Sequence, residues 1–245
     1  MEPTYRHCEQ LRTIPKNKIQ LYKQDIINSC ENCLKVNKIS CDKCILKSIL
    51  IDRYSDANIP LDFVNKSIED FVGDKKIKTL YEDITKDIVK SYKVGKSICL
   101  KGSHGVGKTF ISCLILKKCV EKGMKGLYST LGDIVSVIIY GDIKTKFEAS
   151  RELKMIDWLV IDEFDSRFMG SDVSAELFGR ILESIIRIRF QNSLPTFLIT
   201  NNPDPTKSLG DQLGASIGSL MKGYVWEIPV IGADYRKINK ATWQK

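Results

Sequence analysis

The sequence predicts an α/β fold built on a parallel sheet and preceded by a small cysteine-rich unit. Three features lead to this prediction. An apolar strand, a glycine-rich loop and an apolar helix follow one another over residues 97–120. Two later apolar runs end in polar residues, and four cysteines near the start form two C-x-x-C pairs. We expect two domains, a cysteine-rich one over residues 1–55 and a larger one over residues 56–245.

The composition is that of an ordinary globular protein, with 43% hydrophobic and 28% charged residues. No apolar run approaches the roughly 20 residues needed to span a bilayer, and the first residues lack the layout of a signal peptide. We therefore expect a cytoplasmic protein with no membrane partner. The formal charge of +8 favours polyanions such as nucleic acid without identifying one.

The paired cysteines predict a metal site. Cys30 and Cys33 are separated by seven residues from Cys41 and Cys44. Cytosolic thiols stay reduced, and two C-x-x-C turns supply the four sulfur ligands of a tetrahedral zinc ion. An iron–sulfur cluster and a chance repeat are the alternatives, and the gap is shorter than the roughly 15–20 residues of a zinc ribbon. Because the first 50 residues hold few apolar groups, a metal would supply their stability.

The remaining cysteines and the end of this unit receive simpler interpretations. His7 and Cys8 are candidates for spare ligands, with an ordinary surface pair as the alternative. The polar segment Asp52–Pro60 is predicted to join the two domains. Small core residues are expected at Cys99, Cys113 and Cys119.

The strongest motif matches GxxxxGK[ST] without interruption. A short strand over residues 97–101 precedes it and a helix over residues 109–120 follows, which is the setting such a loop requires. Backbone N–H groups would surround the phosphates of ATP, Lys108 would neutralise the β- and γ-oxygens, and Thr109 would hold Mg²⁺. The predicted nucleotide-binding residues are Gly102, Ser103, His104, Gly105, Val106, Gly107, Lys108 and Thr109.

Two further strands should complete this site. The apolar strand Trp158–Ile161 is followed by Asp162, which would complete the Mg²⁺ ligands, and by Glu163. A carboxylate at Glu163 can deprotonate the water that attacks the γ-phosphate, so an ATPase is favoured over a small-molecule kinase. A strand over residues 195–200 ends beside Asn202, a candidate γ-phosphate sensor, although Asn-Asn-Pro is also a plain turn signal.

These motifs resemble those of the DnaC/DnaI/IstB group of AAA+ ATPases. The resemblance runs over roughly residues 59–240. It implies a five-stranded parallel sheet between helices, without a helical lid domain. In this sheet, the strand that ends near Asn202 would lie between the strand before the phosphate loop and the strand that leads to Asp162. The motifs that carry it are Gly102–Thr109, Leu159–Glu163, Ile199–Asn202 and Gly232–Arg236.

The resemblance also implies roles and partners. Asn202 would be the sensor-1 residue and Arg236 the sensor-2 arginine of the nucleotide site. The implied catalytic set is therefore Lys108, Asp162, Glu163, Asn202 and Arg236. Replicative members of the group bind a DnaB-like hexameric helicase through a separate amino-terminal domain. In the DnaI type this domain carries zinc. The ATPase domain of these proteins binds single-stranded DNA. The implied function is ATP-dependent loading of the replicative helicase.

One departure from the group matters for catalysis. The position expected to hold a trans-acting arginine holds Leu220, and such an arginine is worth about 10³–10⁵ in rate. We therefore expect slow hydrolysis, and self-association through this edge is in doubt. An IstB-like transposition helper and an ATP-binding switch with little hydrolysis remain as alternatives.

Two basic segments are candidates for DNA contact. The predicted helix over residues 172–190 carries Arg180, Arg187 and Arg189, although an ordinary solvated face is the more common reading of such a pattern. The segment over residues 142–154 carries several cations around an aromatic residue, a combination that suits single-stranded DNA. These residues are Lys144, Lys146, Phe147, Arg151 and Lys154.

Overall fold

The computed structural model describes residues 8–31, 33, 41–164, 173–203 and 215–235. In this part of the chain five parallel strands form one sheet in the order β2-β3-β4-β1-β5. The predicted five-stranded parallel sheet is confirmed, and β4 lies between β1 and β3 as expected. The strands are β1 (Ser97–Lys101), β2 (Gly126–Thr130), β3 (Trp158–Asp162), β4 (Thr196–Thr200) and β5 (Val225–Pro229).

Helices cover both faces of the sheet, which is the usual arrangement around parallel strands. None of the helices in the described ranges is long and apolar enough to cross a membrane. The helices are α1 (Lys16–Asn28), α2 (Asp42–Asp56), α3 (Leu61–Val64), α4 (Lys75–Lys86), α5 (Ile88–Val94), α6 (Lys108–Glu121), α7 (Leu131–Tyr140), α8 (Ile143–Met155), α9 (Val173–Gln191) and α10 (Ala215–Tyr224).

The sheet separates two hydrophobic cores. Alternate side chains of each strand point to opposite faces, so Leu100 and Ile199 pack with α6, whereas Leu198 and Ile161 pack with α7, α8 and α9. All five residues of β3 and of β4 are buried. The carboxyl ends of these strands are therefore fixed by packing on both sides.

The predicted helices agree closely with the structure, whereas the predicted join between the domains is partly wrong. The first residues of the segment Asp52–Pro60 form the last turns of α2, because Ile51 and Tyr54 are buried at helical spacing. The turn follows at Asn58, whose φ of 54° lies in the left-handed region that asparagine tolerates.

Arg189 is a structural residue, and its proposed role in DNA or phosphate contact is wrong. The side chain is fully buried beneath α9. Its guanidinium donates to the carbonyls of Leu153 (2.9 Å), Ile156 (2.8 Å) and Pro195 (2.8 Å) and to Thr196 Oγ1 (2.8 Å). A single buried cation thus joins α8, α9 and β4.

Candidate nucleotide site and cysteine cluster

The phosphate loop joins β1 to α6 and is shaped by close neighbours. Gly105 and Gly107 have φ angles of 73° and 96°, in the left-handed region. A Cβ on Gly107 would lie 2.6 Å from the Phe71 ring, and one on Gly105 would lie 1.7 Å from Asp234 Oδ1. The backbone N–H of Tyr235 also donates to the Gly105 carbonyl (3.0 Å). Conformation and space therefore both require glycine here.

Lys108 begins α6 and is buried, with its ammonium group lying against the loop. Its Nζ donates to the carbonyls of Gly102 (2.8 Å) and Ser103 (2.7 Å) and to Asn201 Oδ1 (2.9 Å). These acceptors are neutral, and phosphate oxygens form stronger, charge-assisted bonds with an ammonium group. The position of Lys108 therefore fits the predicted contact with a polyphosphate.

Asp162 ends β3 and accepts hydrogen bonds on both carboxylate oxygens. Thr109 Oγ1 (2.7 Å) and the Tyr128 hydroxyl (2.9 Å) donate to Oδ2, and the Glu163 backbone N–H (2.7 Å) donates to Oδ1. A carboxylate beside a threonine hydroxyl forms the hard oxygen set that suits Mg²⁺. Burial, together with the nearby Asp162 carboxylate, raises the pKa of Tyr128 well above its usual value, so its hydroxyl remains a donor.

Glu163 adopts an uncommon backbone conformation at the edge of the cleft. Its φ of 52° is left-handed, which costs a residue other than glycine about 1–3 kcal/mol. The next residue is fixed in the sheet, because the Phe164 N–H donates to the Ile199 carbonyl (2.7 Å). The exposed side chain of Glu163 lines the cleft, where a water attacking a phosphate would approach.

The two asparagines after β4 occupy different positions. Asn201 lines the cleft and accepts the hydrogen bond from Lys108. The backbone N–H of Asn202, the predicted sensor, donates to Thr200 Oγ1 (3.0 Å). The amide that the structure brings to Lys108 is therefore that of Asn201.

An aromatic wall formed by Phe63, Phe71 and Phe110 borders the phosphate loop. Phe71 stacks on Phe110 with ring centroids 6.0 Å apart, and Phe63 meets Phe110 edge-on at 5.6 Å. With the loop, this wall encloses a cleft of about 920 Å³. Tyr235 also lines the cleft, and Arg236, the predicted second sensor, lies outside the described residues. The loop residues that line the cleft are His104, Gly105, Gly107, Lys108 and Thr109.

Lys117, which the sequence did not single out, supports this wall. It lies on α6, and its Nζ donates to the carbonyls of Phe63 (3.0 Å), Val64 (2.7 Å) and Lys66 (2.6 Å). Burial lowers the pKa of Lys117. Its only signal in the sequence is a lysine on the apolar face of the helix that follows the phosphate loop.

The four paired cysteines form one cluster that can hold a metal ion. The Sγ atoms of Cys30 and Cys41 are 3.8 Å apart, those of Cys33 and Cys44 3.6 Å, and those of Cys41 and Cys44 3.7 Å. Contact with the Cys30 sulfur raises the pKa of the Cys44 thiol to about 12. Four thiols this close ionise together only when a cation balances their charge.

The other cysteines play no part in this cluster. None of the eight forms a disulfide. Cys99, Cys113 and Cys119 are core residues as predicted, and burial raises the pKa of each thiol. Cys8 is buried against α8, where its backbone N–H donates to Glu152 Oε2 (2.7 Å), and His7 lies outside the described residues.

Leu220 and the basic segment on α8 differ in exposure. Leu220 is partly buried and packs against the core formed with α7–α9. The exposed face of α8 carries Lys144, Phe147 and Arg151, and Phe147 is 68% exposed. Leu220 therefore has a packing role, whereas the α8 segment is accessible.

The parallel sheet, the phosphate loop and the acidic end of β3 together define a P-loop protein with the AAA+ fold.

No protein-family model matches the chain. The solved DnaC helicase loader superposes with a TM-score of 0.58 and 20% identity, over 70% of this chain and 100% of that one. The replication initiator DnaA bound to AMPPCP and single-stranded DNA superposes with a TM-score of 0.58 and 17% identity, over 76% and 56% of the two chains.

The chain is also similar in sequence to a curated protein. It is 28% identical over 141 residues to the replicative helicase loader DnaI of Bacillus subtilis (strain 168). The match covers 56% of this chain and 44% of DnaI, so this chain matches less than half of that relative's length. The resemblance to DnaC/DnaI-like AAA+ proteins that the motifs indicate is confirmed.

Proposed function

We propose that this protein is an ATP-dependent loader of a DnaB-like hexameric replicative helicase onto single-stranded DNA, acting in the cytoplasm. The observation that carries the proposal is the meeting of Lys108, Thr109 and Asp162 in one cleft on the same fold as the DnaC loader. Similarity to DnaI supports it further. The cysteine cluster lies outside the AAA+ core, where a separate partner-binding unit is expected.

The described residues divide the work of ATP hydrolysis. Lys108 would hold the β- and γ-phosphate oxygens, and Thr109 and Asp162 would hold Mg²⁺, which would supply charge neutralisation on those oxygens. Glu163 accepts the proton of the attacking water. Asn201 or Asn202 would orient the γ-phosphate, and Arg236, which lies outside the described residues, is proposed as the second sensor of the nucleotide.

The ion in the cysteine cluster is proposed to be zinc. Four Zn–S bonds of about 2.3 Å in a tetrahedron place the sulfurs about 3.8 Å apart. Three of the sulfur separations here, 3.6–3.8 Å, match that edge length, and all four sulfurs lie within 4.8 Å of one another. An iron–sulfur cluster is disfavoured because its several irons and sulfides spread the ligand sulfurs further apart.

The helicase-binding surface is proposed to lie on α1 and α2 beside the cysteine cluster. Leu21, Ile45, Leu46 and Ile49 are between 44% and 64% exposed there. Three of these residues, Ile45, Leu46 and Ile49, lie close together along α2, and exposed apolar side chains grouped in this way are typical of protein interfaces. The +8 charge and the exposed face of α8, with Phe147 between cations, support single-stranded DNA as the second partner.

Two experiments test the proposal. Purified protein should bind a hexameric replicative helicase from the same source, and Leu46→Asp should abolish that binding. The matched control is Val89→Asp, which changes another exposed apolar position, on α5, that is 46% exposed.

Phosphate release should be stimulated by single-stranded DNA and by the helicase in the native protein, but not in the Lys108→Ala variant. Failure to bind any such helicase would reject the loader function.

A second candidate, an ATP-binding switch with little hydrolysis, is favoured by one observation. Leu220 packs inward at the position where the group carries a trans-acting arginine. Without that arginine, nucleotide binding alone would alter partner affinity. Nucleotide-dependent helicase binding, with no phosphate release under any of the conditions above, would favour the switch over the loader.

A further inference from the structure

We propose that Tyr128 positions the Mg²⁺ ligand Asp162 and couples it to the amino-terminal segment Cys8–Thr13. This proposal rests on the nucleotide-binding function proposed above. The Tyr128 hydroxyl donates to Asp162 Oδ2 (2.9 Å), the oxygen that also accepts from Thr109. Because Thr109 would itself be a Mg²⁺ ligand, the Tyr128 hydroxyl is the donor that would remain to orient the carboxylate. Such outer partners of a metal ligand set its orientation and basicity.

Tyr128 is held in place through its backbone by a segment from before the AAA+ core. It lies on β2, one of the two edge strands of the described sheet. Its N–H donates to the Ala57 carbonyl (2.9 Å), and its carbonyl accepts from Asn58 Nδ2 (2.9 Å). The turn at residues 57–58 therefore pairs with β2 at the residue whose side chain reaches Asp162.

Asn58 connects this turn to the amino-terminal segment. The residue is buried, and its Oδ1 accepts from Thr13 N (2.9 Å) and Thr13 Oγ1 (3.3 Å) while its Nδ2 binds Tyr128. Both ends of one buried amide are thus used to join Thr13 to β2. A displacement of either partner leaves a buried polar group without its bond, which costs about 1–3 kcal/mol.

The same segment is also anchored to α8, the helix with the basic exposed face. Arg12 makes a bidentate pair with the buried Glu152 at 2.7 and 2.5 Å, and Cys8 N donates to that carboxylate (2.7 Å). Arg12 Nε also donates to the Asp56 carbonyl (3.0 Å). The segment is therefore bonded directly to the proposed DNA-binding helix and, through Asn58, to the strand that carries Tyr128.

The first test compares Tyr128→Phe with a matched control. Tyr128→Phe removes one hydroxyl, and Tyr92→Phe removes a hydroxyl that donates to a different carboxylate, Asp157 (3.1 Å). Binding of a non-hydrolysable ATP analogue would be measured by calorimetry across Mg²⁺ concentrations. We expect Tyr128→Phe to need about 10- to 100-fold more Mg²⁺, with unchanged binding in its absence. Tyr92→Phe should behave as the native protein does.

The second test measures coupling by amide hydrogen exchange of residues 8–13. In the native protein, Mg²⁺ with the analogue should slow this exchange about 5-fold or more, and Tyr128→Phe should abolish that response. Asn58→Gly, which keeps the left-handed backbone, should also abolish it. If Tyr128→Phe matches Tyr92→Phe in both tests, this inference is wrong although the site binds nucleotide. If the native protein binds no nucleotide, the proposed function fails with it.

Discussion

The nucleotide site and the cysteine cluster are held in place by different means. The first lies at the ends of β1, β3 and β4, where β3 and β4 are buried along their whole length. The second lies between α1 and the start of α2, where Ile45, Leu46 and Ile49 are exposed. Packing therefore preforms the nucleotide site, whereas the proposed zinc ion would hold the four cysteines of the cluster together. A ligand should change the first locally and determine the structure of the second.

Removing the metal should produce the largest effect and should separate the two regions. A structural zinc site contributes about 10–16 kcal/mol of binding energy at pH 7, most of which is folding energy. After treatment with a chelator, amide exchange should accelerate at the end of α1 and in the first turn of α2, but not in β3 or α6. Cys44→Ala should reproduce this loss, and Cys99→Ala should retain the metal. Unchanged exchange in α2 would contradict a structural role for the ion.

Glu163→Gln should have the next largest effect, and it should be confined to catalysis. A general base contributes about 10²–10⁴ in rate, and glutamine keeps the size of the side chain without accepting the proton. Phosphate release should fall by that factor while affinity for ATP is retained. Glu82→Gln, on the exposed face of α4, is the control and should leave both unchanged. Equal loss of binding and turnover would show that Glu163 acts in binding.

Arg189→Met should destabilise the sheet region, because it leaves the carbonyls of Leu153 and Ile156 without the arginine donor. Each such group costs about 1–3 kcal/mol, and we expect a total of roughly 2–4 kcal/mol after partial relaxation. Urea unfolding measures the change. Arg187→Met removes a partly exposed pair with Glu183 and should cost only about 0–1 kcal/mol. If both variants lose a similar amount of unfolding free energy, the buried hydrogen bonds of Arg189 add little to stability.

The smallest effect distinguishes the two asparagines after β4. Asn201→Ala removes the acceptor next to Lys108 and should weaken ATP binding by about 2- to 10-fold, since a hydrogen bond contributes about 0.5–1.5 kcal/mol. Asn202→Ala should alter turnover only if that side chain approaches the γ-phosphate. Titration calorimetry and phosphate release on both variants decide which amide acts as the sensor. A reduced rate with Asn202→Ala alone would support the assignment made from the sequence.

Much of the fold and site could be predicted from the sequence, because the relevant patterns are local. The glycine loop, the strand before it and the helix after it occupy one continuous stretch, and apolar strands mark β3 and β4. The C-x-x-C pairs likewise lie within one short segment. In contrast, the sequence pattern wrongly predicts a surface position for Arg189, because helical spacing alone does not reveal a buried polar partner on another element.

The sequence by itself determined the phosphate loop, the acidic pair after β3 and the cysteine set, since each requires particular residues at fixed local spacing. Only the tertiary structure decided which distant residues support them. Tyr128 reaches Asp162 across 34 positions, and Lys108 reaches Asn201 across 93. Strand order and side-chain direction create those contacts. No spacing rule encodes them, because they depend on which elements become neighbours in the folded sheet.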